Sequence, residues 1–143
     1  MLRKPKTVYL FPDEFSSMRI GDVMVKEVVS VDYKTPVKEA CKIMGEKRIG
    51  SVIVTREGKP FGIFTERDLL SRVLLEGSLE EDVGKYSSTP LIVISPDYDV
   101  REAARIMADM KIKRLVVMEG EEVKGIFTAA DLAKVIAESP VEI

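Results

Sequence analysis

Thr65 and Asp68 close the run Gly62-Ile63-Phe64-Thr65-Glu66-Arg67-Asp68, and Thr128 and Asp131 close Gly125-Ile126-Phe127-Thr128-Ala129-Ala130-Asp131 at the same spacing. A hydroxyl followed three positions later by a carboxylate, straight after an apolar run, marks a helix start. Two chemistries fit it. In one, the side chains only satisfy the free N–H groups of the first helical turn. In the other, those N–H groups and the positive end of the helix dipole face an anion, while the carboxylate accepts hydrogen bonds from ribose hydroxyls. A carboxylate repels phosphate, so a phosphorylated ligand needs positive charge from nearby. Gly50-Ser51 precede one motif and Lys113-Arg114 the other. With Lys111 those bases form either a solvated face or a phosphate contact.

Other chemistry is sparse. The 143 residues contain no histidine, the commonest general base and metal ligand, and Cys41 is the single cysteine, so no internal disulfide forms. Cys41 falls on an apolar helix stripe and reads as a small core residue, not a nucleophile. Glu80-Glu81-Asp82 and Glu119-Gly120-Glu121-Glu122 lack His or Cys partners and read as solvated surface, so no metal site is expected. There is no phosphate-binding Walker loop, no Ser–His or Cys–His set and no dinucleotide fingerprint. The expectation is a protein that is not an enzyme.

With 22 Lys and Arg against 24 Asp and Glu, the net charge of -2 gives no general pull toward nucleic acid or anionic membrane. Apolar runs such as Leu115–Met118 are strand-sized, far short of the roughly 20 residues of a membrane span. Val8-Tyr9-Leu10-Phe11 is too short for a signal-peptide core. A cytoplasmic protein is expected.

The elements that must position the two motifs repeat. Shifting the chain by 63 positions aligns residues 28–73 with 91–136 without a gap, and thirteen pairs are identical where composition alone gives roughly three. Each copy reads β-α-β-β-α. A β-rich run, Val28–Val31 or Leu91–Ile94, precedes an amphipathic helix with Val37, Ala40, Cys41 and Met44, or Val100, Ala103, Ala104 and Met107, at i, i+3, i+4 and i+7. Thr35 is the expected cap of the first such helix, with Pro36 in its first turn. A hairpin follows, over 51–64 or 115–127, and a second helix starts at Thr65 or Thr128. The boundaries are an extension at 1–17, repeat 1 at 18–77, a linker at 78–90 with a short helix at Leu79–Val83, repeat 2 at 91–138 and a tail at 139–143. A unit of about 55 residues is marginal alone, so the copies are expected to share burial about a pseudo-twofold axis, with a cleft between them. The fold class is α+β.

The duplicated Gly-Ile-Phe-Thr-x-x-Asp signature, the β-α-β-β-α order and the Asp22-Val23-Met24 segment resemble a tandem pair of cystathionine-β-synthase (CBS) domains, a Bateman module, over about residues 18–137. The resemblance implies two sites for an adenosine-containing ligand. AMP, ADP or ATP is expected first, with S-adenosylmethionine and NAD as further candidates. In the first site it places Thr65 and Asp68 on ribose, adenine against Val29, Ile49-Gly50 on the opposite wall, and Lys113 and Arg114, reaching across the pseudo-twofold from the second repeat, on phosphate with Arg67 as helper. In the second it places Thr128 and Asp131 on ribose, Ile92 and Ile112 about the base, and only the uncharged Gly50-Ser51 for phosphate. The first site is therefore expected to bind better. The resemblance also implies a homodimer and regulation of an unknown partner protein; the alternative is a docking module without ligand.

Overall fold

The computed structural model describes residues 18–138, so Val8–Phe11 lies outside the described residues. The chain divides into two compact units: Glu27–Ile92, and the described residues up to Lys26 together with those from Val93 onward. Each holds a three-stranded mixed α+β layer.

In the first unit, β1 (Ser30–Asp32) pairs parallel with β2 (Ser51–Arg56), which forms an antiparallel hairpin with β3 (Lys59–Thr65). In the second, β4 (Val93–Ile94), β5 (Arg114–Glu119) and β6 (Glu122–Thr128) repeat the order and pairing. Each parallel connection is an 11-residue helix, α2 (Val37–Lys47) or α5 (Val100–Met110). Val37, Ala40 and Met44, and likewise Val100, Ala103 and Met107, form the buried stripe. Both helices stop at a left-handed residue, Arg48 or Lys111, whose N–H returns to the last turn. Asp99 caps α5 by accepting from Glu102 N at 2.8 Å. At the start of α2 the cap position is Pro36, not Thr35, and no side chain caps it; the Thr35 carbonyl instead accepts from Val83 N at 2.7 Å.

The 63-residue offset governs the interior. Val31, Val52, Val54 and Phe64 are buried in one unit, and Ile94, Leu115, Val117 and Phe127 in the other. Burying each Phe contributes about 1.5–3 kcal/mol.

The offset also reaches two segments upstream of the aligned repeats. α1 (Ile20–Val23) and its flanks pack in the unit of β4–β6: Ile20 N donates to Tyr98 O, Gly21 N to Pro96 O, and Val25 exchanges both backbone hydrogen bonds with Ile126. A 3-10 turn at Val83–Tyr86 makes the equivalent set in the unit of β1–β3: Val83 N to Thr35 O, Gly84 N to Tyr33 O, and Ser88 with Ile63. Ile20 and Val83 are both fully buried. The helical turn thus lies at Val83–Tyr86, not at Leu79–Val83 as the sequence suggested, and residues 83–88 are an ordered layer of the first unit.

The helices after the hairpins differ. α6 (Ala129–Glu138) is regular. Its counterpart comprises α3 (Glu66–Asp68), a π-helical stretch at Leu69–Val73 and α4 (Leu74–Glu76). The wider turn carries the buried Val73 into the core, while Leu70, Leu74 and Leu75 are exposed.

Candidate functional site

Strand register brings the motif residues together. Ser51 pairs with Thr65 across β2 and β3, and Arg114 pairs with Thr128 across β5 and β6. The loop before each central strand touches the following helix: Glu66 N donates to Gly50 O at 3.1 Å, and Ala129 N to Lys113 O at 2.8 Å. Gly50, Ser51, Thr65 and Asp68 therefore converge in one unit, and Lys113, Arg114, Thr128 and Asp131 in the other.

The capping geometry is the same in both. Asp68 Oδ2 accepts from Thr65 N at 3.0 Å and Thr65 Oγ1 at 3.1 Å, while Asp68 N donates to Thr65 Oγ1 at 3.3 Å. Asp131 Oδ2 accepts from Thr128 N and Oγ1, both at 2.9 Å, and Asp131 N donates to Thr128 Oγ1 at 3.1 Å. Capping is real at both helix starts, and it uses one carboxylate oxygen.

The second oxygen separates the copies. Asp68 Oδ1 accepts from Ser88 Oγ at 3.0 Å and faces Arg72 at 3.9 Å, and Asp68 is buried, at 5% exposure. Arg72 in turn donates to Tyr86 O at 2.9 Å and lies over the Tyr86 ring. At the positions equivalent to Ser88 and Arg72 the other repeat has Val25 and Val135, neither of which can donate from its side chain. Asp131 is only half-buried. Ser88 and Arg72 escape a reading of the motif because they lie outside Thr-x-x-Asp; only the comparison of position 72 with 135 and 88 with 25 exposes them.

The signature glycines also acquire a cause. A Cβ on Gly62 would sit 2.8 Å from Ser88 O, and one on Gly125 would sit 2.7 Å from Val25 O. Glycine is required there because the upstream segment crosses directly over the strand.

Val29 and Ile49 are half-buried against the first unit's core, and Val29 O accepts from Ile53 N at 2.9 Å. Arg67 is exposed on the first turn after Thr65. Ile112 ends the loop after α5, its N–H bonded to Met107 O. Lys113 and Arg114 lie in the unit of Thr128, and Ile92 and Ser51 in the unit of Thr65. Among the described residues no three of Asp, Glu, Cys or His gather as metal ligands, and no helix is long and apolar enough to cross a membrane.

Comparison with known sequences finds the CBS domain twice, at residues 20–75 and 83–138. The chain belongs to the CBS-domain family. The two matched CBS domains are themselves offset by 63 positions, and each begins in an upstream segment that packs on the other copy's strands. An uncharacterized protein of Methanopyrus kandleri is 33% identical over 123 residues, which cover 83% of this chain and 63% of that protein. The chain thus spans less than two thirds of that relative's length. The crystal structure of an uncharacterized conserved protein from Pyrococcus horikoshii superposes with a TM-score of 0.80 at 28% identity, covering 90% of this chain and 98% of that one. The CBS domain pair of protein MJ0100, solved with methylthioadenosine and S-adenosylmethionine, shares the fold at a TM-score of 0.75 and 21% identity, covering 84% of this chain and 96% of that one.

Proposed function

We propose that this CBS pair is a regulatory module that binds an adenosine-containing ligand and passes its occupancy to a partner protein without catalysing a reaction. The observation that carries the reading is the pair of Thr-x-x-Asp helix starts, which set a carboxylate, a hydroxyl and a strand end together twice. Asp68 and Asp131 are the ribose acceptors, beside Thr65 and Thr128. Val29 and Ile92 take the base, with Ile49-Gly50 and Ile112 opposite. Lys113, Arg114 and Arg67 are the phosphate donors, and Ser51, the register partner of Thr65, is an uncharged neighbour. AMP, ADP and ATP are the first ligands to test, then S-adenosylmethionine, which the MJ0100 pair holds in its crystal structure, and NAD. Signalling requires the ligand to bind two states of the module unequally. Leu70, Leu74 and Leu75, exposed on the π-turned helix, supply the apolar face for the expected homodimer.

The test is a thermal-shift screen of the full chain with these five compounds, since a ligand that binds only the folded form raises its melting temperature. A rise with at least one supports the reading. No rise with any favours the second reading, a docking module without ligand, for which the engagement of both Asp68 oxygens inside the protein speaks.

A further inference from the structure

We propose that Ser88 and Arg72 make the two sites unequal by occupying the Asp68 carboxylate, so that the repeat carrying Asp131 is the primary diol-binding site. The inference rests on the adenosine-ligand reading above and reverses the order of preference that the sequence alone suggested. Asp68 has both oxygens engaged inside its own unit: Oδ2 by Thr65, and Oδ1 by the Ser88 hydroxyl with the Arg72 guanidinium at 3.9 Å. Asp68 is 5% exposed and its Oδ1 already accepts from Ser88, so a ribose diol must compete there with a charge-assisted hydrogen bond already made. The same displacement loosens residues 83–88, because Arg72 and Ser88 join the π-turned helix to that segment.

The other repeat has neither obstacle. Val25 and Val135 stand where Ser88 and Arg72 stand, and among the described residues no side chain donates to Asp131 Oδ1. It also has its own cation. Arg114 is the register partner of Thr128, where the first unit sets the uncharged Ser51 opposite Thr65. A carboxylate oxygen unpartnered among the described residues and a guanidinium available to a phosphate thus fall within one repeat.

Calorimetric titration of the full chain with AMP tests this, using Asp131→Asn, Asp68→Asn, and the double variant Ser88→Val with Arg72→Val, which installs the other repeat's residues. Asp131→Asn should weaken AMP binding about tenfold more than Asp68→Asn, the scale of one hydrogen bond to a charged group. The double variant should add a second AMP per chain. Equal losses from the two Asn variants, a larger loss from Asp68→Asn, or unchanged stoichiometry in the double variant overturns the inference while leaving the ligand reading standing. If the wild-type chain gives no heat with AMP, ATP or S-adenosylmethionine, the ligand reading itself fails, and the primary diol site with it. Melting temperatures then decide whether the clamp exists: Asp68→Asn should lower the value by roughly 5 °C more than Asp131→Asn, and an equal drop removes the clamp as well.

Discussion

Gly84 lies flat against the ring of Tyr33, so closely that a Cβ on Gly84 would overlap Cγ, Cδ2 and Cε2 of the ring. The contact is held from both sides, since Gly84 N donates to Tyr33 O at 3.0 Å and Tyr33 packs edge-on against Phe61 with ring centroids 5.3 Å apart. The equivalent pair, Gly21 and Pro96, is looser: a Cβ on Gly21 would meet Pro96 Cβ at 3.1 Å.

Gly84→Ala should therefore destabilise the protein by about 1–3 kcal/mol, the cost of overpacking a filled site. Gly21→Ala should cost less. Urea unfolding midpoints of the two variants check the order; equal midpoints would contradict the packing described.

Exposed charge on the 81–86 segment predicts a pH dependence. The Lys85 ammonium, hydrogen-bonded to Glu81, holds the Glu81 carboxyl below the usual carboxylate range, with Tyr86 contributing next. The Glu81 carboxylate in turn holds Lys85 above its ordinary value. A lowered carboxyl contributes stability above its unfolded value and loses it as pH falls through the folded one; a raised ammonium contributes below its unfolded value and loses it as pH rises through the folded one. Both contributions are present together between about pH 5 and 9. They are small, because the pair is solvated. Glu81→Gln should lower the urea midpoint at pH 7, and its difference from wild type should shrink as pH falls through the folded value of the carboxyl.

Cys41 is half-buried on α2, and burial pushes its thiol up. Its thiolate fraction near neutral pH is correspondingly low. Ellman's reagent should label Cys41 slowly in the folded chain and at the rate of a free thiol in urea; rapid labelling of the native protein would show that the stripe opens.

Leu74 and Leu75 are more than half exposed on the helix that follows Thr65. If that face joins two copies, Leu74→Glu with Leu75→Glu should convert a dimer to a monomer in light scattering while the melting temperature measured at low concentration stays close to wild type. A wild-type chain that is already monomeric at micromolar concentration would count against the face as a homodimer surface.

The strands, the two amphipathic helices and the hairpins were legible because each writes its period into side chains: the buried pairs Val37 and Val100, Ala40 and Ala103, Met44 and Met107, Phe64 and Phe127 all obey one offset. The upstream segments were not, since between 18–25 and 81–88 only Gly21 and Gly84 match, and their equivalence is carried by backbone hydrogen bonds that ask little of side chains. Thr65 and Asp68 could be found by motif. Their state could not, because Ser88 lies 20 positions away in sequence. The π-turn at Leu69–Val73 left no mark either; Leu69 aligns with an identical Leu132 in a regular helix.

The crossing segments bear on how such a chain came to be. A single copy, from its upstream segment to its last helix, would hold a sheet lacking its cover and a cover lacking its sheet. Two separate copies could complete each other only by trading those segments. Fusing them end to end turns that trade into an intramolecular event, independent of concentration. Joining two such copies in one chain makes that exchange permanent, and for the same reason neither half can be excised at the repeat boundary and still carry its own cover.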